Sequence, residues 1–413
     1  MTAKTSAAKL AAQIERGGWT DLFRRGSRRL SSRIGDRMAW SDYDFPLRPT
    51  DVADSGTILL QSGKPVDGRL HVGWVCTPPA RGSGGHTTLF RMVQAMEERG
   101  HQCTLFLYDR NADSVAYHEP RIRACWPQLR ADIRSATTGI DGIDAIVATS
   151  WETAHVVASR TPQPMHRFYF IQDYEPYFYP RGALYALAED TYRFGFTNIA
   201  LGEMVASVID REVEANVSVV VPFGCDTGVY NLLPAKANAV PRNGVVYYAK
   251  RKVDRRGYFL AKLALERFHQ LCPDQEIHVY GDEVSGWTIP VRQHGNLSPE
   301  QLNQLYNRTI ASVAMSFTNI SLVAEELLAA GNIPVLNDSS LARLDLCSNA
   351  AVWAPATPAG IAEALASVVA TADPESAVAA AATVRRGWES SRKQVVMAIE
   401  STCSVTASES LRA

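Results

Sequence analysis

Residues 71–108, HVGWVCTPPARGSGGHTTLFRMVQAMEERGHQCTLFLY, decide the fold. His71-Val72-Gly73-Trp74-Val75 is a short apolar run without polar alternation, which predicts a strand buried on both faces. A loop over 78–86 carries Gly82-Ser83-Gly84-Gly85, an amphipathic helix follows to about Arg99, and Gly100 stops it. Residues 103–108 form a second buried strand. This is a βαβ beginning. Moving outward, the alternation repeats: strands over 144–149, 168–171, 197–201 and 217–221, with a helix over 151–159, end at the turn Pro222-Phe223-Gly224-Cys225-Asp226. A second series then restarts, with strands over 244–248, 276–280, 310–315 and 333–336 and helices over 257–272, 299–307 and 322–330. The Ala-rich residues 377–383 read as helix or helix end.

Two such series joined at one turn predict an α/β protein with two doubly wound, Rossmann-like domains facing a central cleft. The expected domains are 68–225 and 226–384, preceded by a basic helical extension and linker over 1–67. A C-terminal helix and tail over 385–413 is expected to return to the first domain. Ligands of such sheets bind beyond the carboxyl ends of the strands, so the cleft is the expected site.

The length of 413 residues suits two or three domains at roughly 150 residues each. Lys and Arg number 42 against 43 Asp and Glu, a net charge of −1, which speaks against a globally basic nucleic-acid binder. Seven scattered cysteines without CxxC, and nine histidines without HExxH, give neither a disulfide frame nor a metal site. The amino terminus has no apolar signal core and no run of about 18 apolar residues occurs, so a cytoplasmic location is expected. Residues 1–40 hold nine Lys and Arg against three acids, with Leu10, Ile14, Trp19, Leu22, Phe23, Leu30 and Ile34 at roughly helical spacing. This reads either as a helix lying peripherally on an anionic membrane or as a solvated helix packed on its own domain.

Five segments carry the candidate chemistry. Gly84 and Gly85 open a helix after a strand, where backbone amides meet an anion; the run lacks both GxGxxG and GK[ST] spacing, so a plain tight turn stays open. Asp109 ends the next strand, which keeps a nicotinamide-dependent oxidoreductase as a minor alternative. Lys250, Arg251, Lys252, Arg255 and Arg256 follow a strand of the second domain, where a leaving diphosphate needs neutralising; a solvated turn is the alternative. The loop Ser316-Phe317-Thr318-Asn319-Ile320-Ser321 opens a helix carrying Glu326, pairing amides for phosphate with a carboxylate for vicinal hydroxyls. Asp173 and Glu175, among Phe170, Tyr174, Tyr177, Phe178 and Tyr179, suit a sugar ring or, equally, interface packing. Asp42-Tyr43-Asp44 precedes every strand and reads as linker.

On the loop 82–85, the turn 222–226, Gly281, the stretch 294–298 and the helix from Glu326 to Gly331, the chain resembles retaining GT-B glycosyltransferases of the family 4 type. It is most similar to bacterial rhamnan-type rhamnosyltransferases, over roughly residues 68–395. The resemblance implies transfer of rhamnose, with retention, from a nucleotide-diphosphate sugar such as dTDP-rhamnose to a cell-surface glycan or lipid-linked acceptor, without metal or other cofactor. Glu326 matches the second glutamate of the family's Glu-x7-Glu pair, which meets the donor ribose, while Thr318 stands where the first glutamate belongs. Lys250 with Arg255 or Arg256 matches the basic pair at the diphosphate, and Asp173 falls near a pocket histidine that positions donor or acceptor. The alternatives are a GT-B-like sugar-nucleotide epimerase and a non-catalytic glycan- or nucleotide-binding module.

Overall fold

A computed structural model describes residues 45–80, 82–110, 115–234, 241–320, 322–346, 348–384 and 387–404. The basic segment 1–40 and Asp42-Tyr43-Asp44 lie outside the described residues. The chain divides into two compact units, Met1–Val52 and Ala53–Ala413. In the first, the described part holds one 3-10 turn, Pro49–Asp51, with proline at its start. The second unit carries both sheets.

The first lobe is built on β1 (His71–Cys76), α1 (Gly84–Glu98), β2 (Gln102–Leu107), α2 (Val115–Cys125), β3 (Asp132–Ser135), β4 (Ala145–Ala148) and α3 (Trp151–Arg160). It continues with β5 (His166–Ile171), α4 (Ala183–Asp190), β6 (Thr197–Leu201), α5 (Glu203–Val213) and β7 (Val219–Val221). Seven parallel strands lie in the order β3-β2-β1-β4-β5-β6-β7, with Val72 opposite both Cys103 and Ala145. Central strands such as β4 and β5 are buried along their whole length, which is why β4 is continuously apolar and β5 is apolar after His166 and Arg167. Burying a side chain such as Val72 or Trp74 contributes roughly 1.5–3 kcal/mol.

The second lobe comprises β8 (Val245–Ala249), α6 (Tyr258–Leu271), β9 (Ile277–Gly281), β10 (Arg292–Gln293), α7 (Pro299–Arg308), β11 (Ala311–Val313) and α8 (Leu322–Ala329). Then follow β12 (Ile333–Asn337), α9 (Ala342–Asp345), β13 (Val352–Ala354), α10 (Pro358–Thr371), α11 (Pro374–Thr383) and α12 (Glu389–Ser404). Its six parallel strands run β10-β9-β8-β11-β12-β13. Helix starts are set by side chains that accept from orphan amides: Ser83 for α1, Ser150 for α3, Ser298 for α7, Thr357 for α10 and Asp373 for α11. Proline at the first position reinforces the last three.

In both sheets the strand order reverses once, between β1 and β4 and between β8 and β11. Loops leaving neighbouring strands in opposite directions open a crevice there. The segments at these two points are those after β1 and β4, and after β8 and β11. The last helix, α12, belongs by contact to the first lobe. Arg392 pairs with Glu98 at 2.5 Å, Glu400 receives Arg99 and His101 at 3.0 Å each, and Ser391 donates to the Pro222 carbonyl. The two chain crossings between lobes touch: a Cβ on Gly224 would stand 2.6 Å from the Gly387 carbonyl oxygen.

Gly244 enters β8 with φ +75°, and a Cβ there would lie 2.2 Å from the Glu276 carbonyl oxygen. Gly244→Ala combines left-handed strain with a clash against backbone and is expected to destabilise by about 2–4 kcal/mol, read as a lower urea midpoint at unchanged slope.

Candidate functional site

The turn after β8 sorts the five cations. Asp254–Arg256 forms a single 3-10 turn, closed by the Gly257 amide on the Asp254 carbonyl at 2.8 Å. Arg251 and Lys252 are exposed, and Arg251 is spent on the Glu283 carbonyl and the face of Tyr258. Lys250 is half-buried, its Nζ 5.1 Å from the Tyr248 ring centre. Arg255 and Arg256 turn toward the other lobe. Arg255 lies over the Phe178 ring at 4.3 Å with Nη1 at 3.5 Å from Asp173 Oδ2. Arg256 donates to Ser316 Oγ at 2.8 Å, and burial followed by its neighbour Arg255 lowers it to about 10, so it remains a cation at neutral pH.

Asp173 reaches this point from the first lobe, just past the carboxyl end of β5. It is 5% exposed. Oδ2 also accepts from Thr318 Oγ1 at 3.0 Å, and Oδ1 is buried with no hydrogen-bond partner among the described residues. Burial raises its pKa, against the opposing pull of Arg255, Arg256 and the Thr318 hydroxyl. Beside it, Asn319 Nδ2 donates to the Gln172 carbonyl at 3.3 Å, and Ser316 and Asn337 exchange two hydrogen bonds of 2.9 Å. Thr318, where the resembled family carries a carboxylate, therefore uses its hydroxyl to hold a carboxylate of the other lobe. Ile320 is buried, and Ser321 lies outside the described residues.

The aromatic stretch 170–180 divides between the two readings of it. Glu175 is buried against the first-lobe core, accepting from the Trp151 amide at 2.5 Å and Tyr169 at 3.2 Å, and burial together with nearby Glu152 pushes it well up. Tyr174 stacks on Tyr192. These residues are packing, whereas Asp173 and Phe178 face Arg255. Gly84 and Gly85 begin α1 behind the Ser83 cap, with the Gly85 Cβ direction 3.7 Å from Gln172 Oε1, the residue next to Asp173.

Glu326 on α8 sits in a second charged group. Burial raises it to about 7, Asp226 and Glu325 add to that, and Arg91 opposes them. Arg91, on α1, pairs with Asp226 at 3.2 Å and lies over Trp388 at 5.0 Å. Tyr230, Tyr280 and Tyr306 lie within reach of the same charge, with Tyr280 and Tyr306 sharing a hydrogen bond of 2.6 Å. Further along the lobe boundary, Asp345 on α9 accepts from the Glu203 and Met204 amides at 2.6 and 3.1 Å, capping α5, and burial raises it to about 6. Sequence reading singled out neither Arg91 nor Asp345. Among the described residues no three His, Cys, Asp or Glu side chains are grouped to hold a metal ion, and no helix is long and apolar enough to cross a membrane.

Residues 129–204 match a family model described as the WsaF N-terminal domain. Over 294 residues, 67% of the chain, it is 28% identical to the O-antigen biosynthesis protein RfbC of Myxococcus xanthus, and it spans 22% of that relative's length. Among solved structures it is similar to Anabaena HepE in complex with UDP and glucose, at TM-score 0.60 and 14% identity, covering 83% of this chain and 100% of that one. It is also similar to sucrose-phosphate synthase from Thermosynechococcus elongatus, at TM-score 0.58 and 15% identity, covering 83% and 98%. With the two parallel sheets, these likenesses define the fold as GT-B.

The raised Glu326 gives a signed test. Its folded value of about 7 exceeds the ordinary 4.5, so the native state retains a proton that the unfolded chain has released across that window. Stability from this group is present below pH 4.5 and lost as pH rises to about 7. Glu326→Gln is therefore expected to be more stable than wild type at pH 8, by about 1–3 kcal/mol, with the advantage shrinking toward pH 5 in paired denaturation curves.

Proposed function

We propose that this chain is a glycosyltransferase of cell-surface polysaccharide assembly, moving a sugar from a nucleotide-diphosphate sugar to a growing glycan or lipid-linked acceptor. The single observation that carries the reading is the delivery of two adjacent half-buried cations to the lobe boundary by the turn after β8, Arg255 reaching Asp173 of the other lobe and Arg256 held by Ser316 beside it. Partly desolvating two adjacent like charges costs stability. A ligand with a multiply charged anionic group supplies a reason for that cost.

In this reading the bond between the anomeric carbon and the diphosphate oxygen breaks and its electron pair leaves with the diphosphate, while an acceptor hydroxyl oxygen bonds to the anomeric carbon and its proton passes to the departing diphosphate. Arg255, Arg256 and Lys250 stabilise that charge where other enzymes recruit a divalent metal. The amides of Gly84 and Gly85 approach the phosphates from the first lobe, and those of 318–320 from the second. Glu326 accepts from the ribose hydroxyls, Asp173 positions the transferred sugar, and the acceptor enters from the first lobe. The WsaF-type match suggests rhamnose as the sugar, and dTDP-rhamnose as donor with retention of configuration completes the reading on the family resemblance alone. The basic residues 1–40 suit peripheral attachment to the anionic cytoplasmic face of a membrane.

The test is transfer from dTDP-rhamnose, set beside UDP-sugars, to a lipid-linked glycan in the presence of EDTA, with product anomers read by NMR. Arg256→Ala is expected to lower kcat about 100-fold or more, and Glu326→Ala to raise donor KM about 10-fold or more. Isomerised donor without transfer would replace this reading by an epimerase. Binding without turnover would replace it by a binding module.

A further inference from the structure

The basic pair already has an anion, and a poor one. Arg255 Nη1 stands 3.5 Å from Asp173 Oδ2, well beyond the 2.7–2.9 Å of a tight charge-assisted hydrogen bond, and through one nitrogen where a bidentate fork would use two. Arg256 donates through Nη1 to the neutral hydroxyl of Ser316 at 2.8 Å. One carboxylate thus faces two guanidiniums, and half of that carboxylate is idle, because Oδ1 is buried without a partner among the described residues. Asp173 is held in place by Thr318 at 3.0 Å more firmly than by either cation.

Resting on the donor-site reading above, we propose that Asp173 is an internal counter-ion of Arg255 and Arg256, and that the diphosphate of an incoming donor displaces it. Donor binding and the parting of this inter-lobe contact are then one event. A diphosphate carries at least two negative charges on oxygens that match the planar fork of arginine, so it balances both cations where Asp173 balances one. The exchange is local. It breaks the Arg255–Asp173 contact and leaves standing the other inter-lobe carboxylate, Asp345, which has both oxygens engaged by the amides of Glu203 and Met204.

The closed contact competes with ligand, so it lowers apparent affinity by the fraction of molecules in which the cations are free. If that fraction is about one-tenth, removing the competitor tightens binding about tenfold. The experiment is calorimetric titration of the full chain with inorganic pyrophosphate at fixed ionic strength and pH 7.5. Asp173→Asn, isosteric and still able to accept from Thr318, is expected to bind about tenfold more tightly than wild type. Thr318→Val, which frees Asp173 from its tether, is expected to bind about threefold more tightly and carries the test should Asp173→Asn fail to fold. Asp345→Asn is the control, expected to stay within about twofold, since it loosens the lobes without touching the cations.

Equal or weaker binding by Asp173→Asn and Thr318→Val, with wild type binding well, overturns the exchange and leaves the donor-site reading standing. Equal tightening by Asp345→Asn overturns it as well, because lobe opening in general would then be the cause. Absence of binding by wild type and all variants, to pyrophosphate and to UDP and dTDP alike, removes both.

Discussion

Two guanidiniums sharing one buried carboxylate set the terms for the rest of this site. Burial disfavours charge on both partners: it lowers Arg256 and raises Asp173, and the attraction between them opposes both shifts. The arrangement follows from sheet topology. β8 and β11 are neighbours at the point where strand order reverses, so the turn after one and the loop after the other leave their strands side by side. The first delivers Arg255 and Arg256, and the second delivers Ser316, Thr318 and Asn319, which are hydrogen-bonded to Arg256, Asp173 and the Gln172 carbonyl respectively.

The opposite imbalance exists around α8, the helix that continues from that same loop. There Asp226, Glu325 and Glu326 crowd Arg91, the one cation acting on Glu326 among the described residues, and the crowding helps raise Glu326. The second lobe thus presents cations at its strand reversal and carboxylates one helix away, with tyrosines between strands and carboxylate at Tyr230, Tyr280 and Tyr306. A ligand anionic in one part and rich in hydroxyls in another meets complementary groups in both. A carboxylate near its midpoint accepts or donates a hydrogen bond as its proton comes and goes, which suits a vicinal diol better than a permanently charged phosphate.

The strands at the centre of each sheet were legible where a segment buried on both faces is apolar, as in 145–148 and 168–171, while His166 and Arg167 at the start of β5 were not read as strand. The apolar edge strand Val219–Val221 was legible, but Asp132–Ser135 is charged and half-exposed and Arg292–Gln293 is two exposed residues, so neither of these carries a hydrophobic signal. The helix Val115–Cys125 was hidden by Pro120 within it. At the site, residue types were readable and partners were not. Asp173 meets Arg255 across 82 residues and Thr318 across 145, Arg91 meets Asp226 across 135, and such pairings leave no local pattern. The stretch 170–180 shows the limit best, since aromatic and acidic residues look alike in sequence whether they fill a core, as Glu175 does, or face a cation, as Asp173 does.

Asp173 and Asp345 show why a structure keeps one such group half-satisfied. Both carboxylates cross the lobe boundary and both are raised by burial, so each has borne a desolvation cost. Asp345 recovers that cost through two backbone amides at a helix start, where the charge also meets the helix dipole. Asp173 recovers less, through one hydroxyl, a long contact to Arg255 and an idle oxygen. Completing its shell with a third donor would make the lobes more stable and the cations less available. On the proposed exchange, local consistency is relaxed where a ligand competes with the protein for the same charges, and the unsaturated carboxylate would mark that place.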